Sequence, residues 1–186
     1  MKINEFRFIR KNETFIDQRF ANWSRCYEWG YSLDVINKYK DCSIHNTCCG
    51  PSGIHKQFHD SILQINQNVV NSDLVPTTMN SQFKNFKQYD FLNEETEKYD
   101  IVLCISTLED VSSDNIPKAF DNLLNQVNDN GRLIITCDYP MVSVELLEDI
   151  LKAKCQDFDD RLNGTNSVYL QPEFNHLNII LIDIEK

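Results

Sequence analysis

Two groups of acidic residues stand where this chain could do chemistry. Glu109 and Asp110 are adjacent and follow closely on an apolar run, Tyr99-Asp-Ile-Val-Leu-Cys-Ile-Ser106. Two carboxyls side by side push one pKa upward, which suits one of them to orient an acceptor or take its proton. The same pair also suits the solvated start of a helix. Asp73 ends the short run Val69-Val-Asn-Ser-Asp73, 23 positions after Gly50. At that separation a nucleoside site places a carboxylate for ribose hydroxyls. The competing assignment is a plain turn cap before Pro76.

Gly50 belongs to the stretch Ser43-Ile-His-Asn-Thr-Cys-Cys-Gly-Pro-Ser-Gly-Ile-His-Lys-Gln-Phe58. It reads as a strand over 43–47, a turn over 48–53 and a helix from Ile54. Such a turn points backbone N–H groups outward beside a helix N-terminus, an arrangement suited to a negatively charged or nucleotide-like ligand. Gly50 lets the backbone bend, and Gly53 lets the helix pack on its strand. Strand–Gly–helix turns also occur as plain connections.

Elements that would hold these residues follow from periodicity. Residues 23–39 read as a helix with Ser24 as its N-cap, interrupted by Gly30. The helix from Ile54 to about Ile65 aligns Ile54, Phe58, Ile62 and Ile65. His55 and His59, four apart on it, have a metal-sharing spacing but lack the Glu of a zinc hydrolase motif, and the reading favours solvent-facing side chains. Strands are expected at 69–73, within 83–91, at 99–106 and at 131–137, the last two as continuous apolar runs typical of parallel strands covered on both faces. Helices are expected over 116–127, stopped by Asp129-Asn-Gly131, and over 142–153. Residues 1–20 read as an irregular arm or short helix. Residues 167–170 and 177–184 read as a closing antiparallel pair, preceded by a polar cluster over 157–167. Together these predict a single α/β domain over residues 1–186, with 1–40 as an arm and lead-in helix. Its expected fold is three-layered and doubly wound, a mostly parallel sheet with a C-terminal antiparallel hairpin.

Composition narrows the function. The net charge is −10 over 186 residues, with 41% hydrophobic residues. Such a surface repels nucleic acid and anionic membrane. No run of about 18 apolar residues suggests a membrane span, and no signal-peptide h-region follows Met1. A cytoplasmic location is expected. The seven cysteines are irregularly spaced and read as structural thiols, Cys104 and Cys137 as core residues, with no metal site.

With these pieces in order, the chain resembles the class I S-adenosylmethionine-dependent methyltransferases, with a match in motif order over roughly Ser43 to Cys137. The resemblance implies a Rossmann-like fold with S-adenosyl-L-methionine as cofactor. Asn46 falls at the acidic position of the family's glycine motif, Cys48 at a glycine, Gly50 at the next, and Gly53 one place past the third. Asp73 matches the ribose-binding acid, and Asp90 with Phe91 the adenine-reading position. Ser106 to Glu109 match the segment facing the methionine part and the substrate. The lead-in helix would lie over the cofactor, with Arg25 near its carboxylate and one of its aromatics near the sulfonium. Arg25→Ala is then expected to weaken cofactor binding with melting unchanged. Asn46 and Cys48 depart from the family pattern. The expectation is therefore a methyltransferase acting on a small-molecule or sugar-type acceptor, the alternative being a catalytically degenerate binding module of the same fold. A nicotinamide-dependent reductase is disfavoured by the missing Gly-x-Gly-x-x-Gly. The expected partner is a small-molecule substrate, not nucleic acid or membrane, and a homodimer stays open.

Overall fold

The computed structural model describes residues 1–9, 13–20, 24–50, 53–75, 83–155, 158 and 178–186. The elements run β1 (Lys2–Phe8), α1 (Arg25–Lys38), β2 (Ile44–Thr47), α2 (Gly53–Ile65), β3 (Val69–Asp73), β4 (Phe86–Gln88), β5 (Tyr99–Ile105), α3 (Ile116–Asn125), β6 (Val127–Tyr139), α4 (Val144–Lys154) and β7 (Asn178–Glu185). They build one seven-stranded sheet in the order β1-β7-β6-β5-β2-β3-β4. β2 to β6 are mutually parallel, while β7 runs antiparallel to both of its neighbours, β6 and β1. α1 and α2 cover one face through Ile36, Phe58 and Ile62. α3 and α4 cover the other through Leu123, Leu147 and Leu151. Each such buried apolar side chain contributes about 1.5–3 kcal/mol. The result is the expected three-layer α/β fold.

Strand order decides where a ligand can sit. From β2 the chain steps outward to β3 and β4, then returns to the other side of β2 as β5. A crevice therefore opens at the carboxyl ends of β2 and β5, where the winding direction reverses.

Several boundaries differ from expectation. Residues 2–8 form an edge strand, not an irregular arm. Its alternation is hard to read because the register slips between Ile3 and Glu5, and charged residues separate its aromatics. Asp129-Asn-Gly131 does not end a helix at Val127. α3 stops at Asn125, and the turn sits inside β6 between the pairs Tyr99–Val127 and Ile101–Arg132, with Asn130 at φ 64°. Ser24 does not cap α1, because its backbone is already helical (φ −96°, ψ −33°) and its Oγ accepts from Arg25 Nη1 at 3.1 Å. His59 is not solvent-facing. It is buried, with Nδ1 3.1 Å from Asn71 Nδ2 and Nε2 accepting from Lys84 N at 3.2 Å. The expected strand over 167–170, the polar cluster over 157–167 apart from Phe158, Pro51 and Ser52 lie outside the described residues. All seven cysteines are free thiols, with Cys104 and Cys137 fully buried. Among the described residues no helix is long and apolar enough to cross a membrane.

Gly30 is permitted in α1 by close packing. A Cβ there would lie 2.1 Å from the Phe15 carbonyl oxygen. Gly30→Ala therefore forces α1 away from residues 15–17. The expected cost is about 1–3 kcal/mol despite alanine's better helix propensity, read as a lower urea midpoint. An unchanged or raised midpoint would refute the close approach.

Candidate active site

The carboxyl ends of the central strands converge on one cavity of about 610 Å³. Each strand brings its terminal residues to the rim. Cys48 and Gly50 follow β2, Asp73 and Leu74 lie at the end of β3, Asp90 to Leu92 follow β4, and Ile105 to Thr107 extend from β5. Arg25 reaches in from α1 and His55 from the first turn of α2. Asp110, Val111, Ser112 and Asn115 close the side beyond β5.

The turn after β2 is held by its neighbours. Cys49 N donates to Ser72 O at 2.9 Å, and Gly50 N donates to Asp73 Oδ2 at 2.8 Å. Asp73 Oδ1 accepts from Val75 N at 3.1 Å, so this carboxylate both fixes the turn and faces the cavity. Gly50 adopts φ 71°, and a Cβ on it would lie 2.3 Å from His55 Nδ1. Cys48 stands at φ 52°, a left-handed conformation that costs a non-glycine residue about 1–2 kcal/mol. Its side chain packs on the α3 side of the sheet. Asp90 Oδ1 accepts from Leu92 N at 2.9 Å, and Phe91 is buried beside it.

No protein-family profile and no curated protein sequence matches the chain, but solved structures do. N-methyltransferase NodS from Bradyrhizobium japonicum WM9, in complex with S-adenosyl-L-homocysteine, superposes with a TM-score of 0.60 at 12% identity, over 94% of this chain and 89% of that one. Magnesium protoporphyrin IX methyltransferase ChlM from Synechocystis PCC 6803, with bound S-adenosylmethionine, gives 0.55 at 14% identity over 91% and 92%. The 1,6-didemethyltoxoflavin-N1-methyltransferase of Burkholderia thailandensis gives 0.57 at 13% identity over 93% and 84%. The chain has the class I methyltransferase fold.

In this methyltransferase fold the expected site residues divide. Arg25, Cys48, Gly50, Asp73, Asp90, Phe91, Ser106 and Asp110 line one cavity. Gly53 is the first residue of α2. Asn46 is turned away from the cavity. It is buried within the sheet, donating to Asn71 Oδ1 at 3.0 Å, because all four residues of β2 are covered. Glu109 also stands off the lining. It shares a 3₁₀ turn, Leu108–Asp110, with Asp110, and successive residues of such a turn point about 120° apart. Asp110 therefore takes the cavity while Glu109 turns inward. The α1 aromatics expected near the sulfonium are not among the residues that line the cavity. Trp29 stacks on Phe58 with centroids 5.0 Å apart, Tyr31 donates to Asp183 Oδ2 at 2.5 Å, and Tyr27 packs on the core. Among the described residues, Phe91 and the imidazole of His55 are the aromatic rings lining the cavity.

His55, Ser112 and Asn115 were not foreseen as cavity residues, whereas Thr107 belongs to the Ser106 to Glu109 segment expected to face the ligand. His55 carried a signal, its place two residues after Gly53. The other two, Ser112 and Asn115, sit in a polar loop whose path no periodicity encodes.

Behind Ser106 lies a charge network. Glu28 is completely buried. Its Oε2 accepts from Arg25 Nη1 at 2.5 Å, and its Oε1 from Ser106 Oγ at 2.5 Å and Thr136 Oγ1 at 2.6 Å. Ser106 Oγ also accepts from Arg25 Nη1 at 2.5 Å, with the serine backbone at φ 46°. Burial alone would raise the Glu28 carboxyl. The Arg25 charge and the hydroxyl donors outweigh it and hold the carboxyl below its ordinary range. Glu109 and Asp138 share the same guanidinium at longer range. Burial first, then neighbouring carboxylates, raise Glu109 to about 8 and Asp138 to about 6. Glu109 Oε2 and Asp138 Oδ1 are buried without a hydrogen-bond partner among the described residues. Glu109 is thus mainly protonated at neutral pH.

This shift has a stability consequence. Below about pH 4.5, Glu109 is protonated in folded and unfolded chains alike. Between there and about pH 8 the unfolded chain ionises while the folded chain keeps its proton, so this group's penalty grows as pH rises. Glu109→Gln is expected to be more stable than the parent by at least about 1 kcal/mol near pH 8.5, with the difference shrinking toward pH 5. Urea unfolding at both ends of that range measures it. A difference independent of pH would show that Glu109 ionises normally.

Proposed function

We propose that this chain is an S-adenosylmethionine-dependent methyltransferase acting on a small-molecule or sugar-type acceptor. The observation that carries the reading is the convergence of Asp73, Asp90, Phe91 and the Gly50 turn on one crevice at the strand reversal. The fit to the cofactor rests on the donor set. Asp73 offers acceptors suited to ribose hydroxyls, Asp90 an acceptor suited to an exocyclic amine, and Phe91 an aromatic edge. A cavity of about 610 Å³ lies in the usual range for a ligand of nucleoside size and larger. The fold shared with NodS and ChlM, solved with S-adenosyl-L-homocysteine and S-adenosylmethionine, is further support.

S-adenosylmethionine, when bound, supplies the methyl group as a sulfonium electrophile. The residues of this chain then have to orient the acceptor and exclude water. Asp110 faces the cavity beyond β5 with Thr107, Ser112 and Asn115, where these four supply hydrogen-bond partners to the acceptor. Asp110 is the carboxylate placed to receive its proton. Cytoplasmic location and a small-molecule partner belong to this reading, as do the absence of nucleic-acid or membrane binding and an open possibility of a homodimer. Cys48 and the inward-turned Asn46 favour a second reading, a binding module of this fold that transfers no methyl group.

Thermal shift with S-adenosylhomocysteine tests the cofactor assignment. At 100 times its dissociation constant the ligand adds about 2.7 kcal/mol. No shift at millimolar ligand would reject the methyltransferase and leave a module that has lost the cofactor. A shift without methyl transfer to any of a panel of amine, hydroxyl and sugar acceptors would leave the binding module.

A further inference from the structure

The cavity wall is chemically uneven. Its acids are Asp73, Asp90 and Asp110, and its basic side chains among the described residues are Arg25 and His55. These two come from different helices and are close enough for the charge of Arg25 to act on the imidazole. The His55 ring is fixed from two sides. It meets Trp29 edge-on at 5.8 Å, and it covers the Gly50 backbone so closely that a Cβ there would fall 2.5 Å from Cε1. A histidine so placed faces whatever lies over the turn after β2.

We propose that His55 and Arg25 together hold the carboxylate end of the bound cofactor, and that His55 takes up a proton as the ligand binds. The inference rests on the proposed cofactor. The charged groups facing His55 are Arg25 and Glu28 from α1 and Asp73 from β3. In the free protein, burial first and then Arg25 hold the imidazole below its ordinary 6.5, against the opposing pull of Asp73 and Glu28. His55 is therefore neutral at pH 7 before binding. A carboxylate brought against it favours the imidazolium. Affinity then rises as pH falls through the interval between the free and bound pKa values.

The test compares two ligands by calorimetry. S-adenosylhomocysteine carries the carboxylate, and 5′-methylthioadenosine lacks the whole amino-acid end. Between about pH 7.5 and about pH 5.5, the unsubstituted protein should gain roughly tenfold in affinity for S-adenosylhomocysteine, the effect of one pKa unit. It should show no comparable gain for methylthioadenosine. His55→Gln, with His55→Asn as a second variant should the first misfold, should abolish the gain while leaving methylthioadenosine affinity unchanged. Glu109 and Asp138 titrate in or near the same interval, and the comparison between parent and variant subtracts them. A gain that survives both substitutions, or one equal for both ligands, overturns the role of His55 and leaves the cofactor assignment standing. Failure of S-adenosylhomocysteine to bind the unsubstituted protein overturns the cofactor assignment and this inference with it.

Discussion

Asp73→Asn is expected to lower affinity for S-adenosylhomocysteine about 10- to 100-fold while leaving the protein folded. Asp73 spends Oδ2 on Gly50 N and Oδ1 on Val75 N, and each oxygen keeps a lone pair for a hydroxyl from the cavity. Asparagine retains the shape but replaces one oxygen with an NH₂ donor. That donor meets either a backbone N–H, which cannot accept, or a ribose hydroxyl that must turn its own proton away and lose the bond it gave the carboxylate. A hydrogen bond to a charged group contributes about 1.5–3 kcal/mol, which sets the range given. The stability change should be smaller, about 1 kcal/mol, because one backbone bond to the turn is lost. Calorimetry gives the affinity, and a melting curve shows the fold. Affinity within a factor of about three of the parent would remove Asp73 from the ligand site and leave it a turn anchor, the competing assignment of its sequence position.

The legible features of this chain were those written locally. β5 and β7 are largely apolar runs buried on both faces, and both were readable as strands. Asp73 was identifiable because strand, turn and spacing coincide. What escaped reading depends on contacts far apart in sequence. His59 is enclosed by Asn71 and residues 83–84, which no periodicity of α2 announces. Asn46 alternates into a sheet interior because Asn71 on the neighbouring strand supplies an acceptor. Glu109 and Asp110 looked alike as adjacent acids, yet one 3₁₀ turn sends them into different environments. β1 was hidden by its bulge, since a slip of register cancels the two-residue alternation by which an edge strand is recognised.

Arg25→Ala should change melting as well as ligand affinity, contrary to what the sequence implies. Seen along α1, Arg25 and Glu28 form an i,i+3 pair of the kind that contributes little on a surface. The fold alters their circumstances. Glu28 has no exposure and the Arg25 side chain only 21%, and the carboxylate is kept ionised chiefly by that guanidinium. Removing one partner of a buried pair strands the other, at about 3–5 kcal/mol. Protonation of Glu28 relieves part of this, so about 3 kcal/mol is expected, a fall of roughly 6–12 °C for a chain of this size. Ser106 and Thr136 already donate to Oε1, and they would then support a neutral acid less well than an anion. Arg25→Ala combined with Glu28→Gln should recover most of the lost stability, because no charge remains buried. The double variant also separates the two roles of Arg25. If its guanidinium acts on the ligand, affinity for S-adenosylhomocysteine stays low in a protein whose melting has returned. If it serves only Glu28, affinity returns with stability. A single variant that melts within about 1 °C of the parent would contradict the burial of this pair, and with it the account of how α1 is fastened to the ends of β5 and β6.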